Sequence, residues 1–323
     1  MTKTNNKQIA VVGTGVIGVG WIVRFLAHGY DVVATDPAEG AEQKLREGVA
    51  HAWPYMERMG LAEGASQDRL RFEADLKEAV RDAVFVQENV PEREGLKRQV
   101  LADIDASTDR ETVIASSTSG ITPSTLQQDC AHPERIIVGH PFNPVYLLPL
   151  VEIVGGEHTS QEMIDKASDI YKAIAMKPLV IQKEVEGHVA DRLMEALWRE
   201  ALHIVNDGVA TTEEVDAAIT YGAGLRWAQM GPFLTFHLAG GDEGMKHMLK
   251  QFGPALKLPW TKLEAPELTD ELKDKVIEGT EQSAGNKPVQ ELEKQRNEFL
   301  VRLLDLVEEY WPEPQTILQN EQK

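Results

Sequence analysis

The first half of the chain alternates short apolar runs rich in Val and Ile with longer stretches of mixed polarity. The apolar runs are Gln8–Val12, Asp31–Thr35, Leu70–Glu73, Ala83–Gln87, Thr112–Ser116, Arg135–His140, Pro149–Val154 and Pro178–Gln182. Most are continuously apolar rather than alternating, the pattern of strands covered on both faces. Helical stretches separate them, which predicts right-handed β-α-β units and a mainly parallel sheet. Residues 38–66 are too long for one crossover helix and predict a helical pair, broken near Pro54 and Gly60.

The pattern changes at about residue 184. Between Gly187 and Asn206, the residues Val189, Leu193, Leu197, Ala201 and Ile204 recur at three- and four-residue steps, one face of a long helix. Gly208 is placed to end it, and Thr211-Thr-Glu-Glu214 to open the next helix with a capping box. A last helix from Pro288 carries Leu292, Phe299, Leu300, Leu303, Leu304 and Val307 on one side, and the polar tail after Trp311 is expected to be loose. No strand pattern, repeat or low-complexity tract follows residue 184. The expectation is an α/β domain over residues 1–183 and an all-α domain over 184–323.

Composition narrows the functions open to such a chain. Its 323 residues suit two domains, and 42% hydrophobic with 26% charged residues is the balance of a globular protein. A net charge of −19 argues against nucleic acid and against anionic membrane as partners. The single cysteine, Cys130, cannot form an internal disulfide, and no Cys/His spacing suggests a metal, so none is expected. No apolar run approaches the roughly 20 residues needed to span a bilayer, and the polar start lacks a signal-peptide cleavage region. The expected location is the cytoplasm.

The first strand runs directly into Gly13-Thr14-Gly15-Val16-Ile17-Gly18, which opens a helix, and Asp36 closes the second strand 23 residues past Gly13. That context makes a three-glycine pattern informative. Gly13 permits a tight turn, Gly15 lets the backbone approach a pyrophosphate, and Gly18 lets the helix pack on the strand. The helix N-terminus offers free N–H groups to phosphate. Asp36 is placed for the adenosine ribose hydroxyls, and its charge, with no Arg in Pro37-Ala38, favours NAD over NADP. The N-terminal domain thus reads as a Rossmann-type, NAD-binding one.

A second informative stretch is Val138-Gly-His140-Pro-Phe-Asn-Pro144, followed by Leu150-Val-Glu152-Ile-Val. If the two strands it joins are neighbours, His140 and Glu152 meet at the sheet edge. A carboxylate on one imidazole nitrogen fixes the tautomer and leaves the other nitrogen free as a base. Of nine histidines, only His140 sits beside such a motif.

On these residues the chain resembles the 3-hydroxyacyl-CoA dehydrogenase family. The similarity runs through the Gly13–Gly18 loop, Ser116-Ser-Thr-Ser119, His140-Pro-Phe-Asn-Pro144, Leu150-Val-Glu152, Gly187 with its long helix, and Gly231-Pro-Phe233. The resemblance implies a His140–Glu152 dyad, a substrate-oxygen contact from Ser119, and cofactor contacts at Glu92 and Lys97. For the last two, solvated charges on a surface helix are the competing reading. It also implies a homodimer formed through the helical domain. One departure stands out: acyl-CoA members carry Asn before the Arg at the start of the long helix, and this chain has Asp191-Arg192. Asp191 is either a favourable first-turn acid or an extra active-site carboxylate that orients the substrate hydroxyl or faces a cation.

A second departure concerns coenzyme A. Acyl-CoA members place lysines in the stretch corresponding to residues 38–66. Here Lys44, Arg46 and Arg58 stand against Glu39, Glu42, Glu47, Glu57 and Glu63, a poor landing surface for a polyanion. Within the family, the similarity is strongest to the branch that oxidises carnitine. It lies in Ser116–Gly120, Gly139–Pro149, Glu195–His203, Gly222–Trp227 and Gln251–Trp260. That branch implies a small-molecule substrate, L-carnitine, whose trimethylammonium calls for aromatic faces. Phe142 and Phe252, with Val189 and Ala190 as small neighbours, are the expected substrate contacts. The other helical-half aromatics, among them Trp198, Tyr221, Trp227, Phe233, Phe236 and Trp260, are expected mostly in the core. Two alternatives stay open: a 3-hydroxyacyl-CoA or L-gulonate dehydrogenase, and a non-catalytic, crystallin-like structural protein on the same fold.

Overall fold

The computed structural model describes residues 8–310 apart from 229, 263, 265–266, 268, 275–276 and 278–286; the tail after Trp311 lies outside the described residues. Eight strands form one sheet in the order β3-β2-β1-β4-β5-β6-β7-β8. They are β1 Gln8–Val12, β2 Asp31–Thr35, β3 Leu70–Phe72, β4 Phe85–Glu88, β5 Val113–Ser116, β6 Ile136–Pro141, β7 Leu150–Gly155 and β8 Lys177–Ile181. Every neighbouring pair is parallel except β6 with β7. Both faces are packed, as unbroken apolar runs require. Ile9 and Val11 of β1 join one core cluster with Trp21, Phe25 and Tyr171, while Ala10 and Val12 join another with Leu101, Ile104 and Val138. This is the Rossmann-type, mainly parallel sheet the sequence predicts.

The helices of this part are α1 Val16–Ala27, α2 Ala41–Met59, α3 Leu76–Val80, α4 Glu94–Asp105, α5 Pro123–Leu126 and α6 Gln161–Ala173. One expectation fails here. The predicted pair over 38–66 is a single helix, α2, that continues through Pro54 and stops at Gly60. A proline in a helix interior costs about 3 kcal/mol. Trp53, Tyr55 and Met56 are buried around it, and burying side chains of this size contributes about 1.5–3 kcal/mol each, enough to carry the helix one turn further.

The chain divides into two compact units, Met1–Arg192 and Leu193–Lys323. The division falls inside α7, Ala190–Asn206. The second unit continues with α8 Thr212–Ala218, α9 Gly224–Trp227, α10 Pro232–Ala239, α11 Gly244–Phe252 and α12 Val289–Tyr310, and no strand occurs among its described residues. The local signals at its start behave as read. The N–H of Gly208 donates to Val205 O and that of Val209 to Ile204 O, the paired bonds of a Schellman ending. Thr211 Oγ1 accepts from the Glu214 N–H at 3.2 Å, while Glu214 accepts from the Thr211 N–H at 2.9 Å, a complete capping box.

The aromatic residues of this unit are not core. Trp198, Tyr221, Trp227, Phe233, Phe236, Phe252 and Trp260 are all exposed, from 43% at Trp227 to 82% at Tyr221 and Phe233. Helical periodicity marks an apolar face but does not say whether the same chain covers it. On α12, Phe299 is exposed and Leu300, Leu303, Leu304 and Val307 are half-buried, while the Leu292 side chain lies outside the described ones.

The strand that carries His140 is anchored at its other end by a buried ion pair. Arg135, fully buried, donates through Nε and Nη2 to Asp105 Oδ1 at 2.9 and 2.7 Å and through Nη1 to Thr108 Oγ1 at 2.9 Å. Asp105 Oδ2 takes the N–H groups of Ala131 and His132. Removing the guanidinium leaves a desolvated carboxylate. Arg135→Met is therefore expected to lose about 3–5 kcal/mol of stability in urea unfolding, although methionine fills much of the same volume.

Candidate active site

The carboxyl ends of β1, β4, β5 and β6 set out the site, one loop each. After β1, Gly13 takes φ 87°, and an added Cβ there would lie 2.8 Å from the Asn89 backbone; a Cβ on Gly18 would lie 2.0 Å from Gly13 O. Gly15 has nothing within 4 Å of such an atom. The loop is therefore tight underneath and open above. No side chain caps the first turn of α1 and no acid stands in it, while Val16 is 70% exposed and Ile17 packs on the core. Free N–H groups, a positive dipole end and an open approach at Gly15 fit a dinucleotide pyrophosphate. Asp36 Oδ2 accepts from the Thr14 N–H at 2.8 Å and from Thr14 Oγ1 at 3.1 Å, and Oδ1 from the Ala38 N–H at 2.9 Å. The carboxylate is thus held at the rim of the loop, with lone pairs left for further donors.

After β4 the chain buries charge. Glu88 and Lys97 are 0% and 1% exposed, and Lys97 Nζ donates to Glu88 Oε1 at 2.9 Å and to Val90 O at 3.0 Å. Glu88 also accepts from the Val90 N–H at 2.6 Å and from Ser116 Oγ at 2.5 Å. Burial pushes the Glu88 carboxyl upward against the pull of Lys97 and these bonds. The third partner of Lys97 is Glu92 Oε2 at 3.5 Å. Lys97 is thus no solvated surface charge. Glu92, on the outer side, accepts at Oε1 from Thr118 Oγ1 and from the Ser119 N–H at 3.1 Å. Ser119 itself is exposed.

Register places His140. His140 and Glu152 are directly opposed in the antiparallel β6–β7 pair, so their side chains leave the same face. His140 Nδ1 lies 3.0 Å from Glu152 Oε2, with both side chains buried. Glu152 Oε1 accepts from the N–H groups of Val189 and Ala190, each at 3.0 Å. Burial raises the Glu152 carboxyl, but the bonds from His140, Ala190 and Val189 outweigh it and hold it below the ordinary value. On the other side of the ring, Asp191 Oδ2 lies 3.6 Å from His140 Nε2. Phe142 meets His140 edge-on at 5.0 Å between ring centroids.

The sequence-predicted residues fall as follows. His140, Glu152, Asp191 and Phe142 are brought together, and Val189 and Ala190 join them through their backbone. Ser119, Glu92 and Lys97 form a second linked group. Phe252 ends α11 in the helical unit. Three features escaped the sequence reading. Glu88 follows a run whose apolar character gives no hint of a charge. Ser117 Oγ binds Trp21 Nε1, Gln87 Nε2 and Asn89 Oδ1 in a polar cluster beneath the loops. His188, 5.4 Å from His140 between ring centroids, follows a glycine just before α7, a position with no motif to mark it. Among the described residues no cluster has the makings of a metal site.

An NAD cradle, a His–carboxylate pair and an exposed serine on neighbouring strand ends suit hydride removal from an alcohol carbon. Comparisons with known proteins agree. Residues 8–185 match the 3-hydroxyacyl-CoA dehydrogenase NAD binding domain, and residues 187–279 match the C-terminal domain of the same family. An L-carnitine dehydrogenase of Bacillus cereus is 65% identical over 97% of this chain and 96% of its own length. One from Oceanobacillus iheyensis is 66% identical over 95% of this chain and 100% of its own. Among solved structures, FHMPC 5-dehydrogenase, an NAD+ dependent dismutase, superposes with a TM-score of 0.80 at 29% identity, covering 94% of this chain and 98% of that one. Two successive domains matched to the two halves of one family settle the scaffold: this chain belongs to the 3-hydroxyacyl-CoA dehydrogenase family.

Proposed function

We propose that the protein oxidises the 3-hydroxyl of L-carnitine to 3-dehydrocarnitine with NAD, using His140 as the base. The observation that carries this reading is the asymmetry of the His140 ring. Glu152 takes the Nδ1–H, which leaves the lone pair on Nε2 for the substrate hydroxyl. Ser119 holds the same oxygen. As the C3–H bond gives up its electron pair, the hydroxyl proton passes to Nε2, and Glu152 stabilises the imidazolium. The Gly13–Gly18 loop and Asp36 would hold the pyrophosphate and ribose of NAD, which when bound would supply the hydride acceptor. Glu92 would contact the cofactor, with Lys97 holding Glu92 in place. Asp191, 3.6 Å from Nε2, adds negative charge beside a cationic substrate.

Phe142, with Val189 and Ala190 as small neighbours, is the proposed contact for the trimethylammonium, and Phe252, an exposed aromatic at the end of α11, is proposed as a substrate contact by its own chemistry. L-carnitine as substrate rests on the two relatives named for that activity and on the stretch 38–66, where five Glu stand against three basic residues and Arg46 is already paired with Glu42 at 2.7 Å. We take residues 184–323 as the substrate-binding and dimerisation domain and place the protein in the cytoplasm. No helix among the described residues is long and apolar enough to cross a membrane.

The direct test is NADH formation with L-carnitine, D-carnitine, L-gulonate and 3-hydroxybutyryl-CoA side by side. L-carnitine should give the highest kcat/KM. Faster turnover of the thioester or the sugar acid would reassign the substrate, and no turnover at all would favour a structural role. His140→Gln should lower kcat by about 10²–10⁴-fold, the range of a lost general base; full activity would remove the mechanism.

Asp191→Asn keeps the helix start and removes the charge. A kcat lower by roughly tenfold is expected, about 1.4 kcal/mol in the transition state. Unchanged kinetic constants would leave Asp191 as a first-turn acid only.

The homodimer has its own observation. Leu225, Phe299, Leu303, Leu306, Val307 and Tyr310 line one apolar groove of the helical unit, and Phe299 and Leu306 are 64% and 52% exposed. Faces of this kind mark association surfaces. Light scattering should give about twice the 35.9 kDa chain mass, and Phe299→Glu with Leu306→Glu should return the protein to single chains.

A further inference from the structure

His188 is a buried ionisable group beside His140 that the proposed reaction does not use. It has no exposed surface, and its backbone sits at φ 48°, directly after Gly187 at φ 72°. That left-handed region is uncommon for a residue with a side chain. Its Nε2 lies 3.2 Å from Thr118 O. A carbonyl only accepts, so Nε2 carries the proton and donates. In the neutral ring Nδ1 is then a bare lone pair, and Nδ1 is buried with no hydrogen-bond partner in the protein. An apolar ring would fill the same volume without an unpaired acceptor. The histidine therefore serves a purpose other than packing.

The peptide it holds shows that purpose. Thr118 O and the Ser119 N–H belong to one planar peptide unit. Its oxygen accepts from His188 and its N–H donates to Glu92 Oε1 at 3.1 Å. The plane is pinned at both ends, which sets the backbone from which the Ser119 hydroxyl projects. On the other side, the next two residues after His188 give their N–H groups to Glu152, the carboxylate that holds His140. A single ring thus ties the serine loop to the base.

We infer that His188 is a positioning residue: as the Nε2–H tautomer it clamps the Thr118–Ser119 peptide to the Glu152-bound start of α7, fixing Ser119 relative to His140. This rests on the reading of His140 and Ser119 given above. The charged groups facing the ring are His140 from β6, Glu152 from β7 and Asp191 from α7, with Glu92 across the clamped peptide. Burial first, and the nearby His140, lower the proton affinity of His188 against the bond to Thr118 and the two carboxylates. That direction favours the neutral ring at pH 7, and the bond to Thr118 O favours its Nε2–H tautomer.

Two measurements test this. Nitrogen NMR of histidine-labelled enzyme, with His188→Phe to assign the signal, should show the neutral Nε2–H form at pH 7 without any ligand. The Nδ1–H form, or a charged ring, would overturn the inference whatever the substrate proves to be. For the role, His188→Phe should lower kcat by about tenfold to a hundredfold, the scale of a small misplacement of a reacting group. The dissociation constant for NADH should move less than about twofold. His188→Gln, which can return an N–H to Thr118 O, should recover most of the rate. In a Ser119→Ala background, His188→Phe should cost little more, because its effect runs through Ser119. An undiminished kcat, or the same loss with Ser119 present and absent, would reject the clamp. Full activity in His140→Gln would reject the mechanism above instead, and leaves the NMR result to decide the tautomer.

Discussion

The carboxylate of Glu152 is shared between two tasks, and much of the site depends on that sharing. Oε2 receives His140 Nδ1 and Oε1 receives the first two N–H groups at the start of α7. A helix N-terminus carries unsatisfied donors and about half a positive charge. A buried carboxylate needs both kinds of partner to stay ionised. Each therefore satisfies the other's need, and the His140 ring is oriented by the same carboxylate that fixes where α7 begins. Asp191 follows directly: as the second residue of α7, its place 3.6 Å from Nε2 is a consequence of where Glu152 stops the chain.

The other half of the site is built on a less economical interaction. Glu88 and Lys97 are both taken almost wholly out of water, and a buried ion pair often stabilises a fold no better than apolar residues would. What it provides is position. Lys97 spends its donors on Glu88, Val90 O and Glu92, so Glu92 is aimed rather than left to solvent. Glu92 in turn receives Thr118 and Ser119. A chain of charge-assisted bonds, stronger and more directional than neutral ones, runs from the sheet interior to an exposed serine. His188 closes it from the opposite side.

Much of this was legible because the sheet imposes simple rules. Unbroken apolar runs gave the strands to within one or two residues, since both faces are covered. The pairing of His140 with Glu152 was expected from the family resemblance and on condition that their strands are neighbours, and the antiparallel β6–β7 register meets that condition. What escaped depends on contacts distant in sequence. The helix through Pro54 is sustained by Trp53 and Met56 against the core, which no local rule weighs against proline. Glu88 and Lys97 look like ordinary charges until the fold buries them. The aromatics of the helical unit have the same spacing whether this chain or another covers them, so their exposure was invisible to periodicity. His188 was hidden for a further reason: its partner is a backbone carbonyl, which any sequence supplies.

The division between shared chemistry and selectivity follows from this geometry. Moving a proton to Nε2 needs only His140, its carboxylate and a donor to the substrate oxygen, and none of these senses what else the substrate carries. On the proposed reading, selection must come from charges and surfaces near Nε2. There Asp191 is a carboxylate with partial solvent access, at 21%. Two opposite charges about 4 Å apart near a protein surface attract by about 4 kcal/mol before desolvation is counted, and like charges repel by a similar amount. In carnitine the trimethylammonium is separated from C3 by a single methylene, so a carboxylate at the reacting hydroxyl also lies near the cation. The same carboxylate beside an acyl-CoA substrate finds no cation to meet. One acid at the start of one helix can therefore bias a general alcohol-oxidising site toward a cationic hydroxy acid without altering the base, the serine or the cofactor loop.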